Sequence, residues 1–165
     1  MTKKSTATLD RFVLTSPTFE PGGPMPRRYT CEGEDVSPPL AWSSGPPGTK
    51  SFALVMDDPD APDPQHPKTR WVHWVLFNLP ASMRGLTEAA PRLSEGAEGS
   101  NDSHRVGYSG PCPPIGRHRY FFRLYALDCA KLVLEHPTRQ QLEQAMQGHV
   151  LGVAEFMATY QKGDR

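Results

Sequence analysis

The stretch Arg70-Trp71-Val72-His73-Trp74-Val75-Leu76-Phe77-Asn78-Leu79, followed by Pro80, decides the fold. It contains no helical period and no breaker, and β-branched and aromatic residues fill it. Alternation places Trp71, His73, Val75, Phe77 and Leu79 on one face and Val72, Trp74 and Leu76 on the other. Proline cannot donate to a strand ladder, so Pro80 should end the strand.

Two more segments share this two-faced character. In Ser51–Asp58, Phe52, Leu54 and Met56 face one way and Ala53 and Val55 the other, with Pro59 as the expected stop. In Arg119–Leu127, Tyr120, Phe122 and Leu124 oppose Phe121 and Tyr125. Apolar residues on both faces make these central strands. Leu9–Thr15 reads as a first strand and Lys131–Glu135 as a short late one. Ser16–Pro47 is dense in proline and glycine, yet Phe19, Tyr29, Val36, Leu40 and Trp42 need burial. It therefore reads as short strands and tight turns and not as a linker. Ala81–Asp102 reads as a solvated surface loop. Thr138 followed by Gln141 resembles a capping box, and Leu142 and Met146 continue a helical stripe. Gly148 should break that helix, and Val150, Val153, Ala154, Met157 and Tyr160 suit a second one.

Composition agrees with this pattern. The chain holds 18 Pro and 14 Gly in 165 residues, which long helices would not tolerate. The expectation is one domain over 1–165, mostly β, an antiparallel sandwich with two short C-terminal helices. Eighteen basic and eighteen acidic residues give a formal net charge of +0, so no long-range field draws the protein to nucleic acid or an anionic membrane. No apolar run is long enough for a transmembrane helix. Met1–Asp10 is polar and lacks the apolar stretch of a signal peptide. Three cysteines, Cys31, Cys112 and Cys129, are an odd and sparse set that does not read as a disulfide framework, which fits a reducing cytoplasm. Exposed strand edges are compatible with a homodimer.

Candidate chemistry gathers at strand ends. Asp58 is in register with Phe52, Leu54 and Met56, His73 with Trp71, and His118 with Tyr120, while Asp60 follows one proline later. The loop Gly107-Tyr108-Ser109-Gly110-Pro111-Cys112-Pro113-Pro114-Ile115-Gly116 leads into His118. Its glycines would let backbone N–H groups approach a ligand, and both imidazoles could donate to an oxyanion. Asp58 or Asp60 could accept from the far ring nitrogen and favour the protonated form. Trp71 and Tyr120 would supply walls. The plainer alternative is that each histidine is a satisfied core residue and Asp58-Pro59-Asp60 merely a turn.

Asp58-Pro59-Asp60-Ala61-Pro62, Trp71-Val72-His73-Trp74 and Gly110-Pro111-Cys112-Pro113-Pro114 through His118-Arg119-Tyr120 together resemble the phosphatidylethanolamine-binding protein family, that of the Raf kinase inhibitor protein. Cys31–Trp42 and Met146–Leu151 are similar to its bacterial and archaeal branch. The resemblance implies a Greek-key β-sandwich with an anion pocket formed by Asp58, Asp60, Trp71, His73, Gly110, Pro111, His118 and Tyr120. It implies a phosphate-type anion or phosphorylated headgroup as ligand, no cofactor and no metal. A kinase or protease partner is part of the same expectation, although Lys68, Thr69 and Arg70 stand where eukaryotic members carry a tyrosine. Two other readings stay open. One is a metal-dependent hydrolase using His73, His118 and an Asp. The other is covalent catalysis by Ser109 or Cys112 with His118.

Overall fold

A hairpin of unusual length organises the molecule. The computed structural model describes residues 11–90 and 96–165. Strand β3 (Ser51–Asp63) pairs antiparallel with β4 (His66–Pro80), and β7 (His118–Leu127) lies along the other edge of β3. β8 (Val150–Tyr160) adds outside β7, and β6 (Ala97–Glu98) outside β4. The sheet order is therefore β6-β4-β3-β7-β8. A second sheet, β1-β2-β5, is built from Leu14–Thr15, Leu40–Trp42 and Gly85–Leu86. The chain leaves β4, visits the small sheet at β5, and returns past β6 to place β7 beside β3. That crossing gives the sandwich its Greek-key connection.

The large sheet is buried on both faces, as the three apolar strands require. Phe52, Leu54, Met56, Phe122 and Leu124 pack toward the small sheet with Leu14, Leu40, Trp42 and Leu86. Ala53, Val55, Val72, Val75 and Phe77 pack toward Leu132, Leu142 and Met146. The last two lie on the α-helix α1 (Arg139–Met146), whose Thr138–Gln141 capping box forms as the sequence implied. The 16–47 meander also behaves as expected: Phe19 from a bend, Tyr29 from a 3-10 turn at Arg27–Tyr29, and Leu40 and Trp42 from β2 enter the core, with Val36 packed against it.

Several expectations are corrected. Val150–Tyr160 is a strand and not a second helix. Its period of two was present in Ala154, Phe156, Ala158 and Tyr160, which are buried, and β7 supplies the backbone partners along its length. Glu155, opposite Arg123, makes a cross-strand ion pair at 3.0 Å. Lys131–Glu135 forms no strand. Instead the Asn78 side chain holds the backbone of Leu132, accepting its N–H at 2.8 Å and donating to its carbonyl at 3.0 Å. Pro59 does not end β3. Beyond Asp57 the strand has lost β7 and keeps only β4 as neighbour, so a missing N–H on the open edge costs nothing. Ala81–Asp102 is not uniformly solvated: it contributes β5, β6 and the buried Leu86 and Asn101, while 91–95 lie outside the described residues. The first strand is Leu14–Thr15 within the described part, with Leu9 and Asp10 outside it.

Simple alternation along β4 also fails, at two bulges. Leu79 and Leu76 oppose Phe52 and Leu54, and Asn78 between them has φ 56°. Trp74 and Val72 oppose Met56 and Asp57, which leaves His73 without a register partner. The extra residues exchange the faces between them. Trp74, Leu76 and Leu79 join the small-sheet side, and Val75 and Phe77 turn to the helix side with Val72. Trp71 and His73 still share a side, and the bulge aims His73 out of the ladder.

Candidate functional site

A cavity of about 300 Å³ opens at the end of the sandwich where β3 leaves β7. Asp58, Trp71, His73, His118 and Tyr120, from their strand registers, line it together with Gly110 from the Gly/Pro loop. Ala61, Pro62, Ser103, Cys112, Pro113 and Pro114 complete the wall. Among the described residues no lysine or arginine lines it. Trp71 is 38% exposed at the mouth, whereas His73, His118, Asp58 and Tyr120 are buried.

Asp60 and Pro111 take other places. The Asp60 carboxylate accepts the Arg119 backbone N–H at 2.9 Å and its guanidinium at 2.8 and 3.0 Å. Those bonds hold it below the ordinary carboxylate range. Its own N–H donates to Asp58 Oδ1 at 2.7 Å, so Asp60 steadies Asp58 from behind. Pro111 is buried, and its carbonyl accepts the Cys31 N–H at 3.0 Å.

The two histidines differ in what they leave free. His118 Nε2 lies 2.9 Å from the Ile115 carbonyl, and Nδ1 lies 2.6 Å from Asp58 Oδ2. A carbonyl only accepts, so Nε2 carries a hydrogen. One more hydrogen must lie between Nδ1 and the carboxyl, because two lone pairs cannot face each other at that distance. The pair is then imidazolium–carboxylate or imidazole–carboxylic acid, and its net charge is zero in both forms. Burial raises the Asp58 pKa, and the hydrogen bond from His118 opposes that rise. Neither His118 nitrogen is left for a ligand; the ring serves as wall, stacked on Tyr120 at 6.3 Å between centroids.

His73 is the converse. Nδ1–H donates to the Ser109 carbonyl at 2.6 Å, which leaves Nε2 with a lone pair and no hydrogen-bond partner among the described residues. Burial lowers the His73 pKa to about 4, so the ring is neutral near pH 7. Tyr120 packs edge-on at 5.4 Å, and burial together with the nearby Asp58 raises its phenol pKa.

The loop that floors the cavity is strapped at several points, and these straps were not read from the sequence. Gly110 N–H donates to Asp35 Oδ1 at 2.8 Å, so this amide is spent inside the protein and does not face a ligand. Glycine is required there by contact: a Cβ would lie 2.2 Å from the Tyr29 carbonyl oxygen. Asn101, buried, donates to the carbonyl of Gly107 at 3.0 Å and to Ser109 Oγ at 3.1 Å. Asp102 accepts the Val72 N–H at 2.8 Å. The Asn-Asp-Ser run at 101–103 was the available signal, since such residues bond their own backbone. Cys31 and Cys112 form a disulfide, although the three cysteines do not read as a disulfide framework, and Cys129 is the free one. An odd count did not exclude one bridge. The expectation of a reducing compartment loses the ground it rested on. Among the described residues no helix is long and apolar enough to cross a membrane.

This geometry bears on the catalytic alternatives. Cys112 is half of a disulfide and offers no thiolate. The buried Ser109 hydroxyl is bonded by Asn101, and the nearest imidazole bond goes to the Ser109 carbonyl. His118 has no lone pair to give a metal while Nε2–H serves Ile115.

A family model described as phosphatidylethanolamine-binding protein matches residues 15–161. A UPF0098 protein of Methanothermobacter thermautotrophicus is 47% identical over 154 residues, covering 91% of this chain and 99% of that one. One from Chlamydia muridarum is 42% identical over 149 residues, covering 90% and 98%. Among solved structures, a putative phosphatidylethanolamine-binding protein homolog of Chlamydia trachomatis superposes with a TM-score of 0.86 at 40% identity, covering 93% of this chain and 99% of that one. Escherichia coli YbcL gives 0.82 at 31% identity, covering 91% and 98%. A carboxypeptidase Y inhibitor, at 18% identity and 0.54, shares the fold alone.

Proposed function

The chain belongs to the phosphatidylethanolamine-binding protein family, in its bacterial and archaeal branch, and from that premise we propose that it is a non-enzymatic binding protein for a small phosphate-type anion. The observation that carries this reading is His73 Nε2. Among the described residues lining the cavity it is the one imidazole nitrogen left without a partner, since both His118 nitrogens are taken.

With no lysine or arginine among its described lining residues and a His118–Asp58 pair of zero net charge, the cavity offers an anion no fixed positive charge, and at the Nε2 lone pair an anion's oxygen must find a hydrogen. Two sources exist. A monoanionic phosphate or phosphomonoester carries its own P–OH, which donates to the Nε2 lone pair directly. A fully ionised anion must instead find His73 protonated, and above its pKa of about 4 that becomes about tenfold rarer per pH unit. The pocket therefore selects for an oxyanion that brings a hydrogen. Apolar walls from Trp71, Pro62, Pro113 and Pro114 leave room for the organic part of a phosphorylated headgroup. A protein partner, of the kinase or protease kind expected from the resemblance, would meet the exposed Trp71 at the mouth.

The test compares phosphate with sulfate, which carries no proton between pH 5 and 8. Calorimetric affinity for sulfate should rise toward tenfold for each unit of acidification, while phosphate binds more tightly than sulfate at pH 7 and the gap narrows at pH 5. Equal affinities with no pH dependence would reject the proton requirement. Absence of both at millimolar concentration would reject the anion pocket.

A further inference from the structure

At the other end of the β7–β8 ribbon, roughly 30 Å from the pocket, three different donor side chains converge. Asp128 and Cys129 follow β7, and His149 precedes β8. A carboxylate oxygen, the sulfur and an imidazole nitrogen all lie within 4.8 Å of one another. The backbone sets this approach. Asp128 N–H donates to the His149 carbonyl at 3.0 Å, and His149 N–H to the Met146 carbonyl at 2.8 Å. Gly148, at φ +86°, makes the turn that brings His149 back over the end of β7. The Cys129 carbonyl accepts from Ser51 Oγ at 2.7 Å, and Cys129 packs against the helix-side core. Both arms are thus fixed before any ligand arrives.

We infer that Asp128, Cys129 and His149 form a site for a thiophilic divalent cation, zinc being the best fit. Zinc takes sulfur, nitrogen and oxygen ligands at about 2.0–2.3 Å, which sets tetrahedral ligand separations of roughly 3.3–3.8 Å. His149 Nδ1 and Asp128 Oδ1 are already 2.8 Å apart, so the cation replaces the hydrogen between them with a small side-chain rotation. Binding releases the thiol proton to solvent, and the hydrogen displaced from His149 Nδ1 passes to Nε2, which leaves a neutral imidazole ligand. The resulting thiolate and carboxylate carry two negative charges, which balance one dication. Sulfur excludes magnesium and calcium from effective competition, since both prefer all-oxygen sets. Three protein ligands leave a fourth position for water or a small anion. Half-exposure of His149 and Asp128 gives the cation a path from solvent.

Cobalt(II) is the direct probe, because Cys129 is the free cysteine and the disulfide holds the other two. Added to oxidised, reductant-free protein, it should give a thiolate-to-cobalt charge-transfer band that zinc abolishes at one equivalent. Cys129→Ser should remove the band. His149→Ala and Asp128→Asn should each weaken zinc binding at least about tenfold, the scale seen even for residues that only support a ligand. Circular dichroism of each variant checks the fold. No band in the wild type overturns the site. Zinc affinity unchanged in Cys129→Ser and His149→Ala also overturns it and places the metal on other surface histidines.

Discussion

A histidine–aspartate pair sits at each end of β7, and the pairs have opposite physical characters. His118 and Asp58 meet at 2.6 Å with their side chains 1% and 4% exposed. His149 and Asp128 meet at 2.8 Å with theirs 45% and 46% exposed. In the buried pair every polar atom is committed, and low dielectric makes the loss of either partner expensive. In the exposed pair water competes for both partners, so the contact adds little to stability and each group remains available to a cation. The same two residue types thus shape a cavity wall at one end and an open donor cluster at the other. Burial makes the difference.

The largest effect should come from breaking the buried pair. Asp58→Ala leaves the His118 Nδ1 without its partner and should destabilise the protein by about 3–5 kcal/mol in urea unfolding. A loss under 1 kcal/mol would mean that water reaches this pair as it does the exposed one.

Next comes the cross-link beside it. Cys31 and Cys112 are 81 residues apart, and the bridge ties the cavity floor to the 29–35 segment. The double variant Cys31→Ser/Cys112→Ser should lose about 2–5 kcal/mol and bind phosphate more weakly, since the floor is then less restrained. Unchanged phosphate affinity would show that the hydrogen-bond straps from Asn101 and Asp35 suffice. The smallest effect belongs to the far end: Asp128→Asn should change stability by less than about 1 kcal/mol. A larger loss would assign that pair a structural role and weaken the contrast.

How much of this was legible in the sequence follows the same division between local and distant information. β3, β4 and β7 announced themselves because both faces are apolar, and strand register then brought Asp58, Trp71, His73, His118 and Tyr120 to one side. β8 is hidden in the sequence because Val150, Val153, Ala154, Met157 and Tyr160 also satisfy a helical spacing; only pairing with β7 selects the period of two. The bulges at His73 and Asn78 are set by the partner strand and could not be counted along β4 alone. The roles of Gly110, Asp60 and Pro111 depend on Asp35, Arg119 and Cys31, all distant in sequence. The difference between the two pocket histidines has the same origin. Nothing near His118 reveals that Ile115 and Asp58 take both nitrogens, whereas His73 keeps one.

That difference is the centre of the account, and imidazole nitrogen NMR reads it directly. In ¹⁵N-histidine-labelled protein at pH 6, His73 Nε2 should begin at an unprotonated shift and move toward the hydrogen-bonded or protonated range as phosphate is added. Both His118 nitrogens should stay near their starting values. A His73 signal unmoved by millimolar phosphate, or a His118 signal that moves in its place, would contradict the account.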